Sequence, residues 1–215
     1  MARFFVLEGT DGSGTTTQGD GLHRRLGGAG LRTREPSDGP IGRLLRASLR
    51  GQTERRLGAE EVALLFAADR IDHVRAEIGP CLAEGRHVVC DRYLGSSLAF
   101  QVVDGEGGFG ADWLLAINRG VRKPDLTLWI DVPVDEAMAR ITARGAPLER
   151  FEVAATLQRV RDRYAALAEA PPPALGTVVR IDGVGSVETV AQRVWQAVVE
   201  VAPELAGLPL PEPTP

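Results

Sequence analysis

The stretch from Phe4 to Thr17 limits what this chain can become more than any other. Phe4-Phe5-Val6-Leu7 is a short apolar run closed by Glu8, which reads as a buried strand. It passes directly into Gly9-Thr10-Asp11-Gly12-Ser13-Gly14-Thr15-Thr16-Thr17, with helix-forming sequence over roughly 15–28. Strand, glycine-rich turn and helix in that order suit phosphate binding. The glycines let backbone N–H groups converge on an anion, and the helix N-terminus adds a positive dipole. The phosphate-loop pattern is G-x-x-x-x-G-K-[ST]. Gly9 and Gly14 meet it and Thr16 stands where a hydroxyl would bind Mg²⁺, but Thr15 occupies the lysine position. Taken alone, the segment is equally open to being a flexible turn with no ligand. The dinucleotide pattern G-x-G-x-x-G fails, because Thr17 fills its third glycine position.

Downstream, short apolar runs alternate with helix-like stretches. Strands are expected at Leu31 to Arg34, His87 to Cys90, Leu126 to Ile130 and Val178 to Ile181. Over 59–84, the positions of Val62, Leu65, Phe66, Ile71, Val74 and Ile78 predict one long amphipathic helix. Further helices are expected over 41–50, 134–144, 151–168 and 186–201. Five strands separated by helices predict an α/β fold, a five-stranded parallel sheet with helices on both faces. Ligands of such sheets bind beyond the carboxyl ends of the strands. Residues 1–202 read as one domain, and 203–215, with five prolines and no apolar periodicity, as an extended or disordered tail.

Charge narrows the partners. A formal net charge of −4 argues against a general polyanion binder, so nucleic acid is not an expected partner, while a local basic pocket remains compatible. Basicity is almost wholly arginine, and Lys123 is the single lysine. The N-terminal apolar run is too short for a signal peptide and no later run is long enough for a membrane span, so no membrane partner is expected. Cys81 and Cys90 lack further Cys or His at ligand spacing, and a cytoplasmic, reducing location follows as the expectation.

Other candidate residues gather at the same end of the predicted sheet. Asp91-Arg92-Tyr93 follows a strand, where a carboxylate could hold Mg²⁺ through water and an arginine could clamp a phosphate. Arg34 ends the second strand, and Phe66 and Arg70, four apart, share one helix face. A surface Asp-Arg pair, a core phenylalanine and a solvated arginine are the plainer alternatives for each taken singly.

In combination these segments resemble the thymidylate kinase family of P-loop nucleoside monophosphate kinases, over nearly the whole chain to about residue 200. FFVLEGTDGSGTTT is similar to the family's F-[IV]-x-E-G-x-[DE]-G-x-G-K-T-T, and T-R-E-P stands intact at 33–36. Leu64-Leu65-Phe66-Ala67-Ala68-Asp69-Arg70 matches L-x-F-x-A-x-R. Asp91, Arg92, Tyr93, Ser96, Ala99, Phe100 and Gln101 match D-R-[YH]-x-x-S-x-x-A-[YF]-Q, and Lys123 to Val132 matches R-P-D-L-[TV]-x-x-L-D-[VL].

The resemblance implies a P-loop NTPase fold and a homodimeric enzyme that phosphorylates dTMP with ATP and Mg²⁺. It places Gly9 through Thr17 on ATP, with Asp11 also at the catalytic centre, and Thr16 and Asp91 at the metal. Phe66 would stack on thymine and Arg70 would hold the base edge or phosphate. Arg34 and Arg92 would grip the dTMP phosphate, with Ser96, Ser97 and Phe100 on the same substrate side. A lid near 140–152 would bring Arg140, Arg144 and Arg150 to the ATP phosphates. Gly12 replaces an arginine that some members carry, matching the subgroup that supplies this charge from the lid. Because Thr15 departs from the family lysine, two alternatives accompany an active dTMP kinase: a nucleotide-binding paralogue with weak or no transfer, and a kinase for another nucleoside monophosphate.

Overall fold

The computed structural model describes residues 1–105, 108–145 and 151–208. Among these, the strands are β1 (Phe4–Glu8), β2 (Leu31–Arg34), β3 (Val88–Asp91), β4 (Leu126–Asp131) and β5 (Thr177–Asp182). They form one sheet in the order β2-β3-β1-β4-β5, every neighbouring pair parallel. The helices are α1 (Thr15–Arg25), α2 (Pro40–Leu49), α3 (Ala59–His73), α4 (Gly79–Ala83), α5 (Leu94–Ser96), α6 (Val102–Asp104), α7 (Ala111–Ile117), α8 (Val134–Ala143), α9 (Ala154–Glu169) and α10 (Val187–Val201).

Strands buried on both faces need apolar residues in sequence, and β1, β3 and β4 are buried throughout. Alternate residues serve opposite layers. Phe5, Leu7, Leu126, Leu128 and Ile130 pack on one side with Leu22 of α1 and Val190, Val194 and Val198 of α10. Phe4, Val6, Val88 and Cys90 pack on the other with Leu98, with Ala63 of α3 and with Leu114 of α7. The strand order reverses about β1, so the crevice at its carboxyl end is the place for a ligand.

Two expectations change. The helix expected over 59–84 is interrupted by a π-helical turn at Val74–Ile78 before α4. Pro80 is the reason: it has no N–H to continue the ladder and its ring crowds the carbonyl four residues back. The inward face of α3 also differs from the apolar stripe, since Asp69, Arg70 and His73 are buried while Ile71 is 39% exposed. The tail expected from Pro203 begins folded. Pro203–Leu205 is a 3-10 turn, Leu205 is buried against α10, and Glu204 pairs with Arg3 at 2.7 Å. Residues 209–215 lie outside the described residues.

Candidate active site

The turn after β1 owes its shape to its glycines. Gly14, at φ 91°, caps α1, and Gly12 has φ 77°. A Cβ at Gly12 would lie 2.5 Å from the Ala137 carbonyl, and one at Gly9 would lie 2.8 Å from the Ile130 carbonyl. The loop is therefore pressed onto the end of β4 and onto α8. A side chain at position 12 would therefore require the loop or α8 to shift.

Thr15 opens α1 with its side chain buried. Lys123 cannot stand in for the absent lysine. It precedes β4, and the parallel pairing of Phe5 with Leu126 puts it at the end of the sheet opposite the loop. Arg140 of α8 does reach the loop, its Nη1 donating to the Gly12 and Ser13 carbonyls at 3.4 and 3.3 Å. Its Nη2 donates to Glu136 and, at 3.0 Å, to the Gly183 carbonyl, so its charge is already shared. Arg144 pairs with Glu152 at 2.6 Å. Arg150 and residues 146–149 of the expected lid lie outside the described residues.

At the end of β3, the Thr16 hydroxyl donates to Asp91 Oδ2 at 2.5 Å, while Asp91 Oδ1 is buried without a hydrogen-bond partner. An unpartnered carboxylate oxygen beside a threonine hydroxyl is a fitting oxygen donor set for Mg²⁺, which uses few protein ligands and completes its shell with phosphate and water.

Arg92 is a non-glycine residue with φ 65°. Such a conformation costs about 1–2 kcal/mol and persists only when surroundings hold it. Here Nη1 donates to the Gly9 carbonyl at 2.7 Å and Nη2 to Asp11 Oδ1 at 2.7 Å, with the guanidinium 4.9 Å from the centre of the Phe100 ring. Burial works against its charge, but Asp11, Tyr164, Asp91 and Glu8 outweigh that and raise its pKa. Beneath it, the buried Glu8 carboxylate accepts from the Tyr93 N–H at 3.0 Å, the Ser96 hydroxyl at 2.6 Å and the Tyr164 hydroxyl at 2.9 Å. Burial pushes the Glu8 carboxyl pKa up. Gly95 leaves room for it, since a Cβ there would lie 2.7 Å from Glu8 Oε1.

Arg92 faces a cavity of about 190 Å³. Its lining includes Asp11, Glu35, Phe66, Tyr93, Ser96, Phe100 and Gln101. Three expected substrate residues stand elsewhere. Arg34, its side chain 60% exposed, pairs with Asp38 at 3.2 Å at the end of edge strand β2 and is not in the cavity wall. Arg70 and Ser97 lie beneath the wall, occupied with each other at 3.0 Å. Arg70 also binds Asn118 Oδ1 at 2.5 Å, the Tyr93 carbonyl at 3.2 Å and Glu35 at 2.7 Å. It is therefore neither a solvated charge nor a lining residue. Gln101 does line the cavity, with its Oε1 buried and lacking a partner. In the sequence Gln101 closes the segment that begins at Asp91, and nothing local marks it for a role of its own.

A phosphate loop, a Thr–Asp oxygen pair and a half-buried arginine between loop and cavity, at the switch point of this sheet, define a P-loop nucleoside monophosphate kinase. Such enzymes are phosphotransferases. The chain belongs to the thymidylate kinase family, whose model matches residues 7–194. It is 40% identical over 210 residues to the thymidylate kinase of Psychrobacter sp., covering 92% of this chain and 97% of that one. It is 41% identical over 179 residues to the thymidylate kinase of Alkalilimnicola ehrlichii, covering 79% and 81%. The solved structure of thymidylate kinase from Candida albicans superposes with TM-score 0.79 at 24% identity, over 95% of this chain and 93% of that one, a likeness of fold.

Proposed function

We propose that this protein is a dTMP kinase that transfers the γ-phosphoryl group of ATP to dTMP, giving dTDP and ADP. One observation carries the reading: Arg92 bridges the phosphate loop, through the Gly9 carbonyl, and a cavity walled by Phe66 and Phe100. Donor and acceptor would meet at that guanidinium. The acceptor is already a phosphate oxyanion, so catalysis needs alignment and charge neutralisation more than a strong base.

Backbone N–H groups of Gly9 through Thr17 hold the donor phosphates. Thr16 and Asp91 would hold Mg²⁺, which supplies charge neutralisation at the phosphate oxygens. Phe66 stacks on the base, and Gln101 offers its unpartnered Oε1 to a base N–H. Arg92 holds the acceptor phosphate, with Asp11 fixing its angle. Arg70 and Ser97 support Glu35 and Tyr93 from below.

The test is ADP release with ATP and Mg²⁺ across dTMP, dUMP, dCMP and dGMP. Preference for dTMP supports the reading; preference for dGMP, or no release with any acceptor, overturns it. A slow enzyme is favoured by the burial of Thr15 and by the Glu136 partner of Arg140. Restoring a charge-assisted contact worth roughly 1.5–3 kcal/mol, Thr15→Lys should raise turnover about tenfold or more. An unchanged rate would mean that another group already fills the role.

The enzyme is proposed to be a homodimer acting in the cytoplasm. Among the described residues no helix is long and apolar enough to cross a membrane. Leu64 and Ile71, seven apart on one side of α3, are 50% and 39% exposed, and Leu44 of α2, a helix packed against α3, is half-exposed. Sedimentation should give a dimer, and Leu64→Glu with Ile71→Glu should give a monomer; a wild-type monomer would refute the assembly.

A further inference from the structure

We propose that Arg32 is a positioning residue for the metal end of the site, holding Asp91 and the first turn of α1 in register for nucleotide-bound Mg²⁺. The proposal rests on reading Thr16 and Asp91 as that end. Arg32 lies in the middle of β2, opposite Val89 of β3, a place where a sheet covered by α1 ordinarily packs an apolar side chain. Its guanidinium instead runs along α1. Nε donates to Asp20 Oδ1 at 2.7 Å, Nη2 donates to the Thr16 carbonyl at 3.2 Å, and Nη2 lies 3.6 Å from Asp91 Oδ2. Nη1 donates to its neighbour's carbonyl, Thr33 O, at 2.6 Å.

Asp20 stands one turn beyond Thr16, so α1 supplies both the anchor and the carbonyl that the planar fork spans. Room for the fork exists because residue 19 is glycine: a Cβ there would lie 2.8 Å from Arg32 Nη2 and 2.9 Å from Cζ. Asp91 Oδ2 is thereby held from two sides, by the Thr16 hydroxyl and by the Arg32 charge. The other oxygen, Oδ1, is left buried and unpartnered, which is the state a metal-facing oxygen needs. A carboxylate held through one oxygen cannot turn both away from the site.

The effect should appear in the coupling between metal and nucleotide. ATP binding is measured by calorimetry with Mg²⁺ and again in EDTA, for the wild type, Arg32→Met, Arg32→Lys and Asp20→Asn. In the wild type Mg²⁺ tightens ATP binding. Losing one charge-assisted contact should reduce that tightening about tenfold in Arg32→Met, with metal-free affinity within about twofold. Arg32→Lys should recover part of it, keeping the charge without the fork. Asp20→Asn, at a half-exposed side chain that folding tolerates, should show a smaller loss in the same direction and carries the test if Arg32→Met does not fold. Equal weakening with and without Mg²⁺, or no change in either, overturns the proposal. A wild type that binds no ATP under either condition overturns the nucleotide site as well, which separates the two failures.

Discussion

Arg92→Met is expected to lower turnover about a thousandfold or more while ATP affinity changes only a few fold. An arginine that stabilises a transferring phosphoryl group contributes roughly 10³–10⁵ in rate. Arg92 is placed for that role by four neighbours: the Gly9 carbonyl, Asp11, Ser96 at 3.4 Å and the Phe100 ring. Methionine preserves the length and loses every polar anchor, while the backbone keeps its positive φ. Arg92→Gly would relieve that backbone strain and lose the same charge. If charge placement governs the rate, both variants fall alike in kcat at saturating ATP and dTMP. A loss below about tenfold in Arg92→Met, or near-normal turnover in Arg92→Gly, would remove Arg92 from the centre of the mechanism.

What was legible in the sequence is what local chemistry dictates. β1, β3 and β4 show as apolar runs because both their faces are covered, and the loop shows because only glycine tolerates its torsions and close contacts. Asp91 and Arg92 show because they stand where an apolar strand ends. Arg70 reads differently in sequence and in structure for a reason of distance. Spacing of four correctly puts it on one side of α3 with Phe66, but spacing cannot say what that side meets. Glu35 from the end of β2 and Asn118 from the end of α7 converge there from 35 and 48 residues away. Glu8 reads as the polar end of an apolar run, and its partner Tyr164 stands 156 residues further on. Arg32 reads as an ordinary strand residue until α1 is folded over it. Pro80 and the Leu205–Leu208 pair were local signals for the π-helical turn and the packed start of the tail, outweighed by apolar spacing and proline content.

The buried network around Arg70 yields the second large effect, on stability. Arg70→Leu should lower unfolding free energy by about 3–5 kcal/mol, because breaking a buried pair strands its partner's charge. Glu35 would lose its 2.7 Å contact, and Asn118 and the Tyr93 carbonyl would lose donors inside the protein. At about 2–4 °C per kcal/mol for a chain of this size, the midpoint of a thermal melt should fall by about 10 °C. Most of the penalty belongs to the stranded carboxylate, so Glu35→Gln added to Arg70→Leu should recover stability relative to Arg70→Leu alone. Two losses that simply sum would show that the pair is not a coupled unit. Since Glu35 and Tyr93 form part of the cavity wall, the surviving Arg70→Leu enzyme should lose dTMP affinity far more than ATP affinity. Equal loss of both would mean that the network supports the whole sheet rather than the acceptor pocket it underlies.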